Sequence, residues 1–225
     1  MHFEILVEDQ SGQKALEILV PKIVGEEGVD GEHTFFVHSY KGLGRIPKDL
    51  KGTTDPEKRI LLDRLPKLLR GYAETFRGYG KNYRAIVVVV CDLDDRALSG
   101  FLGELGQVSA ACSLAPGACF CIAIEEGEAW FLGDLAAIRG AYPEAREEVL
   151  SGYVNDSICG TWERLADAIH PGGSKGLSSQ GWRAIGREKS RWAERIAPRM
   201  EVEENRSPSF VHFRNKLREL AHGAP

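Results

Sequence analysis

The sequence predicts an α/β protein with a mostly parallel sheet flanked by helices and a helical C-terminal part. Three observations predict it. The run from Ala85 to Cys91 is uniformly apolar and rich in valine, as expected of a strand covered on both faces by helices. Strand-like and helix-like segments alternate over roughly the first 140 residues, the pattern of a layered α/β fold. After Asp134 strand signals stop and only helical spacing continues. We therefore expect an α/β core over 1–140, with a helical region over 141–225 folded onto it.

Taken in order, Phe3 to Val7 reads as the first strand, ending in Glu8-Asp9. Ser11 suits a helix cap, and Leu16, Leu19, Val20 and Ile23 recur at helical spacing, with Pro21 expected to kink that helix. Gly25 to Gly31 is rich in turn residues, and His33 to Tyr40 reads as a second strand. The basic, Gly/Pro-marked stretch from Lys41 to Thr54 is a loop. A long helix follows from about Pro56 to Phe76, its stripe carried by Leu61, Leu65, Leu68, Leu69 and Tyr72 and interrupted at Pro66. After the Ala85–Cys91 strand come a helix from Arg96 to about Ala111 and a strand from Phe120 to Ile124. Pro143 to Tyr153, Thr161 to Ile169, Ser179 to Ile196 and Pro208 to Ala221 read as helices, the last opened by the cap-and-proline signal Ser207-Pro208.

Composition narrows the function classes. An apolar content of 43% excludes general disorder, and no stretch approaches the roughly 20 apolar residues that cross a bilayer. The start, Met1-His2-Phe3-Glu4, lacks the basic and apolar regions of an export signal, so a cytoplasmic protein is expected. Cys119-x-Cys121 lacks the spacing of a zinc knuckle, and Cys91, Cys119 and Cys121 fall on strands, where they read as reduced core thiols. There is no P-loop, no dinucleotide fingerprint and no spacing that suggests a Ser-His-Asp triad. The net charge of −4 hides a division along the chain. Residues 41–84 carry twelve Lys and Arg against five Asp and Glu, residues 85–170 four against fourteen, and residues 182–218 ten against five. An acidic centre between basic flanks suits a metal site attended by surfaces that meet phosphate.

The acidic centre has a layout. Asp92-Leu93-Asp94-Asp95 ends the buried strand, where open α/β sheets place ligands, and Asp92 and Asp94 share one side because strand side chains alternate. Glu8 ends the first strand, and Glu125, Glu126 and Glu128 follow another, so one sheet edge would collect all of them. Carboxylates so close need protonation, basic partners or a cation, and oxygen-only ligands select Mg²⁺ or Mn²⁺. Separately, each acid is more simply a loop residue or helix cap; their convergence is the signal. Trp130 is expected in a helix core, and Asp134 to close a hydrogen-bond network or a helix end. Lys41-Gly42-Leu43-Gly44-Arg45 and the Gly172-to-Lys175 stretch, read as a loop, are candidate phosphate contacts through Lys41, Arg45 and Lys175. Arg183, Arg187, Arg191 and Arg195, at four-residue spacing, form a helix face suited to a nucleic-acid backbone, an acidic partner or solvent.

Glu8 followed later by Asp92-x-Asp94 after a buried strand resembles the TOPRIM domain of topoisomerases, primases and OLD-type nucleases, with Asp9 standing where that pattern usually has Gly. Adding Ser11-Gly12, the segment from Glu125 to Asp134 and Ser207-Pro208-Ser209-Phe210, the chain is similar over nearly its full length to the DUF4276 family, TOPRIM-like proteins often found beside ATPases in prokaryotic defence loci. The resemblance implies a Mg²⁺- or Mn²⁺-dependent nuclease in antiviral defence, acting on DNA or RNA and working with an ATPase. It implies Glu8 as general acid or base, Asp92 and Asp94 as catalytic metal ligands, and Glu8, Glu125 and Glu128 as further ligands or their supports. The alternatives are a non-catalytic module that binds a partner ATPase, and an enzyme acting on small phosphate compounds.

Overall fold

The computed structural model describes residues 1–25, 33–53, 55, 57–80, 83–112, 117–158 and 160–222. Its centre is β3 (Ala85–Asp92), buried along its length up to Cys91. β1 (His2–Val7) pairs with β3 on one side and with β2 (Thr34–Ser39) on the other, and β4 (Ala118–Ala123) pairs with the far side of β3. All neighbours are parallel, in the order β2-β1-β3-β4. The chain therefore moves outward from β1 to β2 and then crosses back to β3. The gap between β1 and β3 is the switch point beyond which such sheets open a crevice.

The crossovers are helical. α1 (Gln10–Val24) joins β1 to β2, α2 (Leu61–Arg77) joins β2 to β3, and α3 (Leu98–Ala111) joins β3 to β4. Alternation along the strands divides the core in two. Leu6, Val87 and Val89 face α2 and α3, while Phe3, Ile5, Val88 and Val90 face α1 and the C-terminal helices. Those are α4 (Glu128–Leu132), α5 (Leu135–Ala141), α6 (Glu147–Ser151), α7 (Thr161–Ile169), α8 (Gly173–Ser178), α9 (Trp182–Ile196) and α10 (Pro208–His222). α9 packs on α1, and α10 on α1 and β4. Trp130 stacks on Phe213 with ring centroids 4.9 Å apart, and its indole donates to Ser209 Oγ at 3.0 Å, so it belongs to the core. The four described cysteines are free and buried. No helix among the described residues is long and apolar enough to cross a membrane.

Several element ends differ from the sequence expectation, each for a reason visible in the structure. The cap of α1 is Asp9 rather than Ser11: its carboxylate accepts from Gly12 N at 2.7 Å and from the Ser11 hydroxyl at 2.6 Å. α2 starts at Leu61 rather than Pro56, because the carbonyls of Gly42 and Leu43 take the Leu61 and Leu62 amides at 3.0 and 2.8 Å. Both α1 and α2 run on through their prolines. α5 has no counterpart in the sequence reading; Asp134 caps it through Ala137 N at 3.0 Å and accepts from Glu201 N at 2.8 Å, serving helix end and network together. The helix expected over 143–153 contracts to α6, and the Gly172-to-Lys175 stretch is not a loop but largely α8. α9 begins only at Trp182, since Gly181 adopts a φ of 85° that breaks helical geometry. Most of the Gly25-to-Gly31 turn lies outside the described residues.

One ionisable group is built into the sheet. Glu4 on β1 accepts from His2 Nε2 at 3.1 Å and His38 Nε2 at 2.6 Å. Burial works to raise its pKa, but the hydrogen bonds of His38 and His2 outweigh burial and hold it below the ordinary 4.5. Such a group stabilises the fold above its unfolded value, and that contribution fades as pH falls through the lowered one. Glu4→Gln should therefore flatten the loss of thermal stability below about pH 4.5, read from melting curves across the acid range. Phe213→Ala, which empties the seat under Trp130, should cost about 3–5 kcal/mol in urea unfolding.

Candidate functional site

Parallel pairing aligns Val7 with Val90, so Glu8 leaves β1 one residue beyond that pair, and Asp92 ends β3 two residues beyond it. Glu8 Oε2 lies 3.5 Å from the Asp92 amide nitrogen. The first turn of α1 presses close upon this junction: a Cβ at Gly12 would stand 2.5 Å from Val7 Cγ2, which a glycine avoids. Glu8 and Asp92 line a small cavity of ≈ 50 Å³ with Asp9, Glu128 and Lys189 at its polar end and Leu16, Trp130 and Phe131 along its apolar wall. At roughly 10–15 Å³ per water this holds a few waters or a partly hydrated ion, and not a nucleotide.

Electrostatics make the two carboxylates uncomfortable. Burial first, then the negative charges of Asp9 and Asp94, push the Glu8 carboxyl up to about 7. Burial and the Glu8 charge hold Asp92 well above the usual carboxylate range. Neither has an ion pair among the described residues.

The other predicted acids have different partners. Asp94 adopts a φ of 51° and pairs with Arg96 at 2.8 Å, exposed beside the cavity rather than lining it. Glu125 accepts from Gly160 N and Thr161 N, both at 2.9 Å, and from the Thr161 hydroxyl; it anchors the start of α7. Glu126 accepts from Trp162 N at 3.1 Å in the same helix start, and lies 3.8 Å from Lys189. Burial raises the Glu126 carboxyl to about 7, against the opposing pull of Lys189. Of the three, Glu128 is the one that lines the cavity. It is buried and meets Lys189 Nζ at 2.9 Å. Among the described residues no three His, Cys, Asp or Glu side chains converge as a ready-made metal cage.

The predicted cations divide as well. The loop carrying Lys41 and Arg45 is tied to the site by its backbone, since Gly42 N donates to the Glu8 carbonyl at 2.8 Å, and both side chains are exposed. Lys175 is exposed on α8, which packs against α7 and α9, and does not line the cavity.

A family model described as Domain of unknown function (DUF4276) matches residues 7–218. The chain belongs to the DUF4276 family. No curated protein and no solved structure matches it. In this DUF4276 protein the group that sequence reasoning missed is Lys189. It lies on α9 off the face that carries Arg183, Arg187 and Arg191, in line instead with Ile185, Trp192, Ala193 and Ile196. A lysine at an apolar helical position was the available signal. Burial alone would depress its pKa, but Glu128, Glu126 and Asp92 reverse that and hold the ammonium charged, above the usual lysine range.

Removing one member of a buried ion pair leaves the other uncompensated. Lys189→Met should therefore destabilise the protein by about 3–5 kcal/mol in urea unfolding. Adding Glu128→Leu should recover a large part of that loss; additive losses in the double-mutant cycle would show that the pair is not energetically coupled.

Proposed function

We propose that this protein is a Mg²⁺- or Mn²⁺-dependent nuclease that hydrolyses phosphodiester bonds of nucleic acid. The observation that carries this reading is the pair Glu8 and Asp92, brought side by side by adjacent parallel strands, with no direct ion pair among the described residues, lining a cavity of ion size. Their chemistry fits a hard divalent ion, which typically takes one or two protein carboxylates and completes its shell with water and substrate phosphate. Glu8 and Asp92 would hold it; when bound, such an ion supplies Lewis acidity to the phosphoryl oxygens and lowers the pKa of an attacking water.

The neighbouring residues support that arrangement. Lys189 pairs with Glu128, which leaves Glu8, Asp92 and the α1 cap Asp9 as the cavity carboxylates without an ion pair among the described residues. Glu125 and Glu126 hold α7 against the sheet edge and so fix the loop that delivers Glu128. Asp94, paired with Arg96, borders the cavity and adds to the negative potential felt by Glu8. Because the cavity does not admit a nucleotide, the scissile phosphate would approach from outside it, with Lys41 and Arg45, on the loop whose Gly42 amide meets the Glu8 carbonyl, as proposed contacts; Lys175 on α8 is a proposed contact for a longer strand. By the TOPRIM resemblance Glu8 would move the proton, and work beside an ATPase in antiviral defence would be the biological setting.

A second reading is favoured by one observation: Asp94, Glu125, Glu126 and Glu128 already have protein partners. A non-catalytic module that binds an ATPase would need no more than this.

Glu8→Gln and Asp92→Asn separate the readings. Both should reduce Mg²⁺- or Mn²⁺-dependent cleavage of plasmid, single strands or tRNA by roughly 100-fold or more, and weaken Mn²⁺ binding in calorimetry. Each should also leave the metal-free melting temperature unchanged or raise it, because a buried charge repulsion is removed. Metal-dependent cleavage that persists in both variants would end the nuclease reading, and a wild-type protein that cuts nothing with either metal would favour the module.

A further inference from the structure

Beside the acidic cavity runs a second, open groove of ≈ 570 Å³ between the start of α1 and one face of α9. Asp9 and Ser11 border both, so the groove adjoins the cavity. Its wall carries Trp182, 76% exposed, an unusual placement for the largest aromatic side chain. The Arg183 guanidinium lies 5.3 Å from the centre of that indole. One turn further along the helix is Arg187, also exposed. Other charges in the groove are matched: Lys14 pairs with Glu194, Arg191 pairs with Glu188, and Asp9 is engaged as the α1 cap. Arg183 and Arg187 have no acidic partner among the described residues.

An exposed indole beside one unmatched guanidinium, with a second lining the same groove, offers one flat apolar face and two phosphate-binding forks. A nucleotide has the complementary parts. In a duplex the base faces are already stacked on one another, and protein meets only base edges and backbone. An indole stacks most readily on a base that is unpaired. We propose that the α1–α9 groove binds single-stranded nucleic acid, with one base on Trp182 and neighbouring phosphates on Arg183 and Arg187. The direction of the groove rests on the nuclease reading, since it would pass the strand towards Glu8 and Asp92; binding itself does not require that reading.

The test uses the full chain in EDTA, so that binding is read without cleavage. Fluorescence anisotropy compares a labelled 12-residue oligothymidine with a duplex of equal length, across a range of salt. The single strand should bind more tightly. Trp182→Ala should weaken it roughly 5- to 100-fold, the range expected of one base–aromatic stack, and Trp182→Phe should restore most of the loss. Arg183→Gln with Arg187→Gln should reduce the slope of log affinity against log salt by about 1.4, the value for two phosphates on a single strand. All these side chains are exposed, so circular dichroism should be unchanged. Equal affinity for duplex, an unchanged Trp182→Ala variant, or no binding at all would overturn the proposal. Binding as described with no cleavage under Mg²⁺ or Mn²⁺ would remove the nuclease reading and leave the groove standing. Cleavage with unaltered Trp182→Ala binding would do the reverse.

Discussion

Parallel pairing of β1 with β3 is the constraint on which the site depends. Once Val7 is opposite Val90, the chain has no choice but to release Glu8 and Asp92 at one edge, with Glu8 Oε2 3.5 Å from the Asp92 amide. Two carboxylates so placed repel each other, and burial deprives both of the solvent that would screen them. The fold tolerates this because one face of the sheet carries a large apolar core shared with α9 and α10. Packing of that core holds α9 against α1 and so delivers Lys189 to the acids, which limits the charge left unbalanced.

The helical C-terminal region thereby has two effects. It completes the hydrophobic cover of β1 and β3 through Trp192, Phe210 and Phe213. It also supplies the cation of the cavity and the wall of the adjoining groove from opposite sides of one helix. Lys189 faces inward and Arg187 outward because about 200° of helical rotation separates positions two apart. One rigid element thus couples the electrostatics of the cavity to the surface that a strand would meet.

The acidic segment after β4 shows why residue type alone under-determines a site. Glu125, Glu126 and Glu128 lie within four residues, yet two of them hold amides at the start of α7 and the third lines the cavity against Lys189. Free amides at a helix start attract carboxylates just as a cation does, and nothing in the local sequence separates the two. The positive φ of Glu125, at 62°, turns its side chain towards α7; that backbone angle comes from the hydrogen bonds around it, among them Asp94 N to the Glu125 carbonyl at 3.0 Å.

The strands, the crossover helices and the two carboxylates at strand ends were legible in the order of residues alone. These follow from side-chain alternation and apolar runs, which act over a few residues. The helix boundary at Leu61, the existence of α5, the capping role of Glu125 and Glu126 and the arrival of Lys189 come from tertiary contacts. Each depends on a partner far away in the chain: carbonyls 42 and 43 for α2, residues 160–162 for the glutamates, and the Glu128 carboxylate for a lysine 61 positions later. Orientation of a polar side chain is set by what is packed against it, and that information exists only once the layers have met.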